Sequence, residues 1–164
     1  MSEKSDYTAE EWDLLQNAML EAGAVMMALH PGGMIRESLA VFKALDEAFE
    51  EYADNPLIIE LIDVDQEESG SVEEKPEGDS PESNGDIETN KQSALQMLNQ
   101  AVAILQTKGT SREVEAYREV VVGIAVKTAA ATKSGGFLGL GGQRIDAQEL
   151  QLIGEIKEAL GFID

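Results

Sequence analysis

The sequence contains no cysteine, which excludes disulfide bonds, thiolate metal sites, iron–sulfur clusters and cysteine nucleophiles. It contains one histidine, His30, so any site that needs two imidazoles is excluded as well. No run of about 18 apolar residues is present that could cross a membrane. The first residues do not form a basic segment followed by an apolar one, as a signal peptide would. These absences predict a soluble cytoplasmic protein.

Positive charge is also scarce. Lysine and arginine number 12 against 32 acidic residues, and the formal net charge is −20. Such a balance repels phosphate backbones and anionic lipid headgroups, so binding of nucleic acid is excluded and contact with a membrane is disfavoured. The partner is expected to be another protein or a second copy of the chain.

Apolar residues nearly disappear from the segment 63–88, which holds eleven acidic residues and one lysine and so carries half of the net charge. Serine, glycine, proline and glutamate dominate it, and such a composition cannot bury enough surface to offset chain entropy. We therefore predict a disordered acidic linker. The whole chain, 1–164, is then a single helical domain with an N-terminal unit at 1–62 and a C-terminal unit at 89–164.

Two segments of the remaining sequence share one spacing of apolar or small residues. In 10–29 and again in 112–133 these residues step by 3, 4, 3, 4 and 3, which places them in one stripe along a helix. The two series are Trp12, Leu15, Met19, Ala22, Met26, Leu29 and Val114, Tyr117, Val121, Ile124, Thr128, Ala131. Each helix leads to a glycine pair and then to a second helix, so the sequence predicts two related helix–Gly-Gly–helix units.

If the first helices of the two units pack together, the core contains Trp12, Leu15, Met19, Tyr117, Val121 and Ile124. A helix at about 34–53 is expected to point its apolar stripe inward as well. That stripe is Ile35, Leu39, Phe42, Leu45 or Asp46, and Phe49. Further helices are predicted at 56–62, after a capping box at Thr89, and after a cap at Asp146. With no sustained alternation of apolar and polar residues, the fold class is an all-α bundle of about five main helices.

The glycine-rich segment 135–142 contains three apolar residues, Phe137, Leu138 and Leu140. A phosphate-binding loop is disfavoured because the Gly-Lys-Ser/Thr ending is missing and Asp146 would repel an anion. We interpret the three residues as a cover over one end of the bundle. The alternative is an exposed interaction loop that contacts a partner.

The segment 141–150 is similar to a segment of tellurite-resistance-protein-B-like helical proteins, in which a cap and a glutamate open a helix after a glycine corner. Ile145, Asp146 and Glu149 match that pattern, and Gly141 stands where the family has aspartate. The run 135–142 also resembles one found in small bacterial proteins. The resemblance implies two related all-helical halves and divalent-metal binding by acidic residues at the corners. The implied metal ligands are Asp146 and Glu149, with Glu37 at the first corner.

No nucleophile–base pair can be assembled from these residues, so no enzyme activity is predicted and no catalytic or cofactor-binding residue is assigned. His30 is interpreted as a capping residue whose positive charge would interact favourably with the dipole at a helix end. A calcium loop starting at Asp63 fails because Glu68 occupies the position that needs glycine. The leading interpretation is a non-enzymatic helical interaction protein in bacterial stress response. The alternative is a protein that binds a divalent cation, its only expected cofactor, at the helix corners.

Overall fold

A computed structural model of the chain describes residues 2–29, 34–63, 84–132 and 145–162. A 3-10 turn at Lys4–Asp6 precedes six α-helices within these ranges. They are α1 (Ala9–Ala28), α2 (Met34–Glu51), α3 (Pro56–Ile62), α4 (Asn84–Lys108), α5 (Ser111–Thr132) and α6 (Ala147–Ala159). The described ranges contain no strand, and the predicted all-α fold class is confirmed.

Local side-chain chemistry decides where α1 and α6 begin. The backbone N–H of Thr8 donates to the carboxylate of Glu11 at 2.8 Å, and the N–H of Glu11 donates to the Thr8 hydroxyl at 3.2 Å. Asp146 and Glu149 form the same reciprocal pair at the start of α6. Gly161 follows α6 with φ of 78°, a conformation that only glycine adopts without strain. The start of α6 after Asp146 agrees with the sequence prediction.

Helix α4 begins earlier than predicted. It starts at Asn84, so Thr89 lies inside the helix and not at its cap, and the segment 63–88 is not linker throughout. Pairs one turn apart stabilise the added residues, since Glu88 contacts Lys91 at 2.9 Å and accepts from Gln92 at 3.1 Å. The predicted disorder of residues 64–83 lies outside the described residues.

The centre of the bundle is formed by α1, which packs against both α4 and α5, while α6 packs against α4 and α5. The buried hydroxyl of Tyr117 donates to the carbonyl oxygen of Leu15 at 2.8 Å and so ties α5 to α1. All six predicted core residues are buried: Trp12, Leu15, Met19, Tyr117, Val121 and Ile124. The predicted pairing of the two long helices is confirmed, whereas the internal repeat stays a prediction.

Helix α2 packs against α1, α3 and α5 with a different face from the one predicted. Its buried apolar residues are Val41, Ala44, Leu45 and Ala48. The prediction that Leu39, Phe42 and Phe49 point inward is wrong, because these side chains are 63%, 64% and 47% exposed.

Close helix contact explains this reversal. A Cβ atom added to Gly23 of α1 would lie 2.8 Å from a methyl carbon of Val41 and 3.2 Å from one of Ile124. Helix α1 therefore approaches α2 and α5 closely at Gly23, and small or compact side chains fill that space well. A phenylalanine ring turned toward this contact would overpack it.

Candidate functional site

The outward side of α2 carries the main group of exposed large apolar side chains in the described residues. Three of the six such residues lie there, namely Leu39, Phe42 and Phe49, which we call the outer α2 face. They are separated by three and seven positions, so they follow one line along the helix. Contiguous exposed apolar surface rimmed by polar residues is typical of a protein-binding site.

Acidic residues accompany this line. Asp46 is four residues after Phe42 and three before Phe49, so it lies on the same side of the helix, between them along the axis. Glu50 follows one residue after Phe49, and both acidic residues are exposed. The outer α2 face therefore combines apolar surface with negative charge.

Exposed apolar surface is also present on the neighbouring part of α1. The side-chain amide of Gln16 donates to the carbonyl of Leu61 in α3 at 3.2 Å, so this side of α1 meets α3. Leu20 lies one helical turn further along the same side and is 37% exposed. Further along that side, the thioether sulfur of Met27 accepts a hydrogen bond of 3.8 Å from the hydroxyl of Ser38 in α2.

A groove runs along the opposite side of α2, where it meets α5. Its floor consists of the small residues Ala44, Ala48 and Gly123, and its volume is about 190 Å³. A Cβ atom at Gly123 would meet nothing within 4 Å, so the floor is open at that point. The groove is shallow and small for an organic ligand, since typical ligand pockets hold about 300–1,000 Å³.

Polar side chains of α2 and of the turn that follows it pair with side chains of α5 along this groove and beyond its end. Tyr52 donates to Glu119 at 2.5 Å, and the pKa of Tyr52 is raised above its ordinary value by burial and then by this hydrogen bond. Lys127 forms an ion pair with Glu47 and lowers the pKa of that carboxyl. These contacts give the groove side of α2 a structural role.

Arg112 and Asp54 form a third pair at 2.5 Å, close to the end of α2 and the start of α5. The hydrogen bond from Arg112 lowers the pKa of the Asp54 carboxyl. Together the three pairs align α2 antiparallel to α5. They form in the register in which the small residues of α2 face inward.

The residues implied as metal ligands occupy two places in the fold. Glu149 is fully buried, and its carboxylate accepts the N–H of Asp146 at 2.7 Å. Asp146 in turn accepts from the N–H groups of Gln148 and Glu149, so these contacts are those of a helix cap. Glu37 is 1% exposed and lies in the first turn of α2. The structure thus brings Asp146 and Glu149 together and places Glu37 on another helix.

Within the described ranges, no group of three or more histidine, aspartate and glutamate side chains is placed to hold a metal ion. The predicted interaction loop of Phe137, Leu138 and Leu140 lies outside the described residues, as does His30. Whether the loop covers the bundle or contacts a partner stays a prediction.

A third buried carboxylate, Glu113, lies at the end of the bundle where α5 begins. It accepts the backbone N–H of Ser2 at 2.8 Å and that of Thr110 at 2.6 Å. Burial alone would raise its pKa, but the hydrogen bonds from Thr110 and Ser2 outweigh this effect and lower it. Because its partners are backbone groups of the chain itself, Glu113 stabilises the fold.

The sequence analysis missed the outer α2 face. A signal was available in the small residues, since Ala44 and Ala48 recur at helical spacing and Gly23 lies beside Ala22 of the apolar stripe of α1. Small residues spaced in this way are typical of close helix contacts. Leu39, Phe42 and Phe49 would then have been assigned to the surface.

Comparison of the chain with protein-family models, curated proteins and solved structures gives no match. The resemblance to tellurite-resistance-protein-B-like proteins therefore stays a prediction. Among the described helices, none is long and apolar enough to cross a membrane.

Proposed function

We propose that this chain is a non-enzymatic interaction protein that binds a helical segment of another protein through the outer α2 face. The observation that carries this proposal is the exposure of Leu39, Phe42 and Phe49 on a helix whose small residues hold it to the bundle. The cytoplasmic setting and the exclusion of nucleic acid, both expected from the sequence, belong to the same proposal.

Burial of apolar surface supplies the driving force. Covering a Leu or Phe side chain stabilises a complex by up to about 1.5–3 kcal/mol, and two rings with one leucine provide an anchor of the size found in helix–helix contacts. The residues follow one line, as the partner-facing residues of paired helices do. Because the inward residues of α2 already pack on α1 and α5, a partner can bind without unfolding the helix.

The test uses the single variant Phe42→Gln with Leu150→Gln as matched control. Leu150 is, like Phe42, a large apolar residue that is mostly exposed (57%), but it lies on α6. Each protein serves as bait in a lysate of its source cells. The partner that wild type retains is then purified, and its affinity for each bait is measured by titration calorimetry.

We expect direct binding by wild type and Leu150→Gln and a loss of at least about tenfold with Phe42→Gln, while circular dichroism shows all three proteins equally folded. Equal affinity of wild type and Phe42→Gln for the purified partner would contradict the proposal. So would the absence of any protein that binds directly.

A divalent-metal-binding protein, the alternative expected from the sequence, is the second candidate function, with Asp146 and Glu149 at one helix corner and Glu37 at the other as its proposed ligands. A specific site stabilises the folded state by mass action and saturates, whereas screening of the net charge responds equally to sodium at matched ionic strength. Melting curves in calcium, magnesium, manganese and sodium separate the two. This candidate requires a saturable gain in melting temperature that Glu37→Gln removes, and a response identical to that of sodium rejects it.

A further inference from the structure

We infer that the partner segment is a basic amphipathic helix. Its apolar residues would cover Leu39, Phe42 and Phe49, and its lysine or arginine residues would pair with Asp46 and Glu50. This inference rests on the proposed function and adds the chemical class of the partner.

The charge of the outer α2 face is the first argument. Glu47 is engaged by Lys127 and, at 3.8 Å, by Lys43. In the part of the chain that the structure describes, neither Asp46 nor Glu50 takes part in an ion pair. A partner that covers the two rings also removes water from Asp46 between them, and desolvation of an uncompensated carboxylate is costly. Cationic side chains on the partner offset that cost.

The net charge of the chain selects against other occupants. A second copy would bring another charge of −20 and an identical pair of carboxylates to the same face. An anionic membrane would be repelled for the same reason. A basic segment is attracted, which raises its rate of association as well as its affinity.

The length of the outer α2 face sets the size of the partner. Phe49 lies ten positions after Leu39, which corresponds to about 15 Å along the helix axis. A helix of roughly three to four turns covers this distance and presents apolar residues at intervals of three and four. Lysine or arginine beside that stripe would reach the carboxylates, and long side chains of this kind bury their stems while their charges stay in water.

The experiment compares three synthetic helical peptides of about 16 residues, a length that gives about four turns. They share one apolar stripe and carry lysine and arginine, glutamine, or glutamate at the positions beside it. Fluorescence anisotropy measures their affinity for the full chain at about 50 mM and about 300 mM NaCl. We expect the basic peptide to bind at least about tenfold more tightly than the neutral one at low salt, with the difference reduced at high salt.

Two variants separate charge from apolar contact. Asp46→Asn combined with Glu50→Gln is expected to remove most of the preference for the basic peptide. The control pair Glu60→Gln with Glu158→Gln, at exposed positions of α3 and α6, removes the same number of charges and should leave the preference unchanged. Phe42→Gln should weaken the binding of both the basic and the neutral peptide.

Each other outcome overturns the inference. Equal binding of the neutral and basic peptides, both lost with Phe42→Gln, rejects the basic partner and leaves the proposed function supported. If the basic peptide binds Phe42→Gln as tightly as wild type, the binding reflects general attraction to an acidic protein. That outcome argues against the outer α2 face altogether. Absence of binding by the basic peptide at low salt rejects the inference. A dimer that Phe42→Gln dissociates in sedimentation identifies a second copy as the occupant.

Discussion

Helix α5 meets α1 on one side and α2 on another, and the two interfaces are built from different residues. Between α1 and α5 lie large side chains such as Leu15, Tyr117 and Ile124, all fully buried. Between α2 and α5 lie Ala44 and Ala48, with polar pairs along the exposed edge. The first interface is the centre of the hydrophobic core, whereas the second is a close contact of small residues aligned by surface charges.

This difference determines which residues each helix leaves for other molecules. Helix α5 places its large apolar stripe in the core. Helix α2 meets Gly23 of α1 with Val41 and lines its contact with α5 with Ala44 and Ala48, while its large residues Phe42 and Phe49 point to solvent. A helix that packs on the bundle through its small residues can present its large apolar residues to a partner. The contrast between the buried and the exposed residues of these helices can be tested by pairs of matched substitutions.

The largest expected difference is between Ile124→Asp and Phe42→Asp. A charge at the fully buried Ile124 has no partner, so we expect this variant not to fold. The same change at Phe42 is expected to alter the free energy of unfolding by less than about 1 kcal/mol, because the carboxylate stays in water. The buried Trp12, the only tryptophan, reports folding by its fluorescence. Cooperative melting of Ile124→Asp would refute the assignment of the core.

Glycine substitutions test the close contact of α2. Gly23→Ala adds a methyl group 2.8 Å from Val41, and overpacking should outweigh the gain in helix propensity by about 1 kcal/mol. Gly123→Ala adds its methyl group to open space, so it should stabilise the protein by about 0.5–1 kcal/mol. Chemical denaturation measures both changes.

Val41→Ala provides the control for this pair. In the double variant with Gly23→Ala the clash is removed, so the two changes should be less harmful together than their sum. Additive effects, or stabilisation by Gly23→Ala alone, would show that α2 does not approach α1 as closely as the structure indicates.

Much of the fold could be predicted from the sequence because α1 and α5 contain regular apolar stripes and α6 contains a complete capping box. In α1 and α5 the largest side chains and the buried face coincide, so periodicity alone identifies the core. The start at Asp146 could be predicted because its hydrogen bonds are local.

The orientation of α2 could not be predicted by the same method. Periodicity ranks faces by the size of their apolar side chains, while packing against two helices depends on how closely the backbones can approach. That distance depends on Gly23, a residue distant in sequence from Val41. The implied metal ligands show a related limit of the sequence, since Asp146 and Glu149 form local capping hydrogen bonds that a motif does not distinguish from metal ligation.

Tyrosine hydroxyls allow a finer comparison of the two interfaces. Tyr117→Phe removes a buried hydrogen bond to α1 and should cost about 0.5–1.5 kcal/mol. Tyr52→Phe removes an exposed bond to Glu119 and should cost less than about 0.5 kcal/mol. Thermal melting of both variants beside wild type measures the difference, and equal losses would contradict it.

The buried Tyr117 predicts that the protein loses stability at alkaline pH. Burial raises the pKa of Tyr117 above the ordinary value of 10.0. A raised pKa in the folded state means that the neutral hydroxyl stabilises the fold fully below the unfolded pKa and loses this effect as the pH rises toward the folded value. Wild type should therefore melt at lower temperature above about pH 10, and Tyr117→Phe should flatten that decline.

The smallest effect is expected at the charged edge between α2 and α5. The double variant Glu47→Gln/Asp54→Asn removes the partners of Lys127 and Arg112. Because the pKa of each carboxyl is lowered in the folded state, its contribution is present above the ordinary pKa and is lost as the pH falls through the folded value. Melting temperatures should differ slightly from wild type at neutral pH and low salt, and should converge in acid or at high salt.

A charge-matched control separates pairing from overall repulsion. Glu10→Gln/Glu60→Gln removes the same number of negative charges from exposed positions in α1 and α3. In a chain with a net charge of −20 this control should raise the melting temperature slightly, because it relieves self-repulsion. The edge variant gains the same relief but loses two ion pairs, so it should melt below the control. If the two double variants melt alike, the ion pairs do not stabilise the α2–α5 contact, and its small residues alone hold the helix in place.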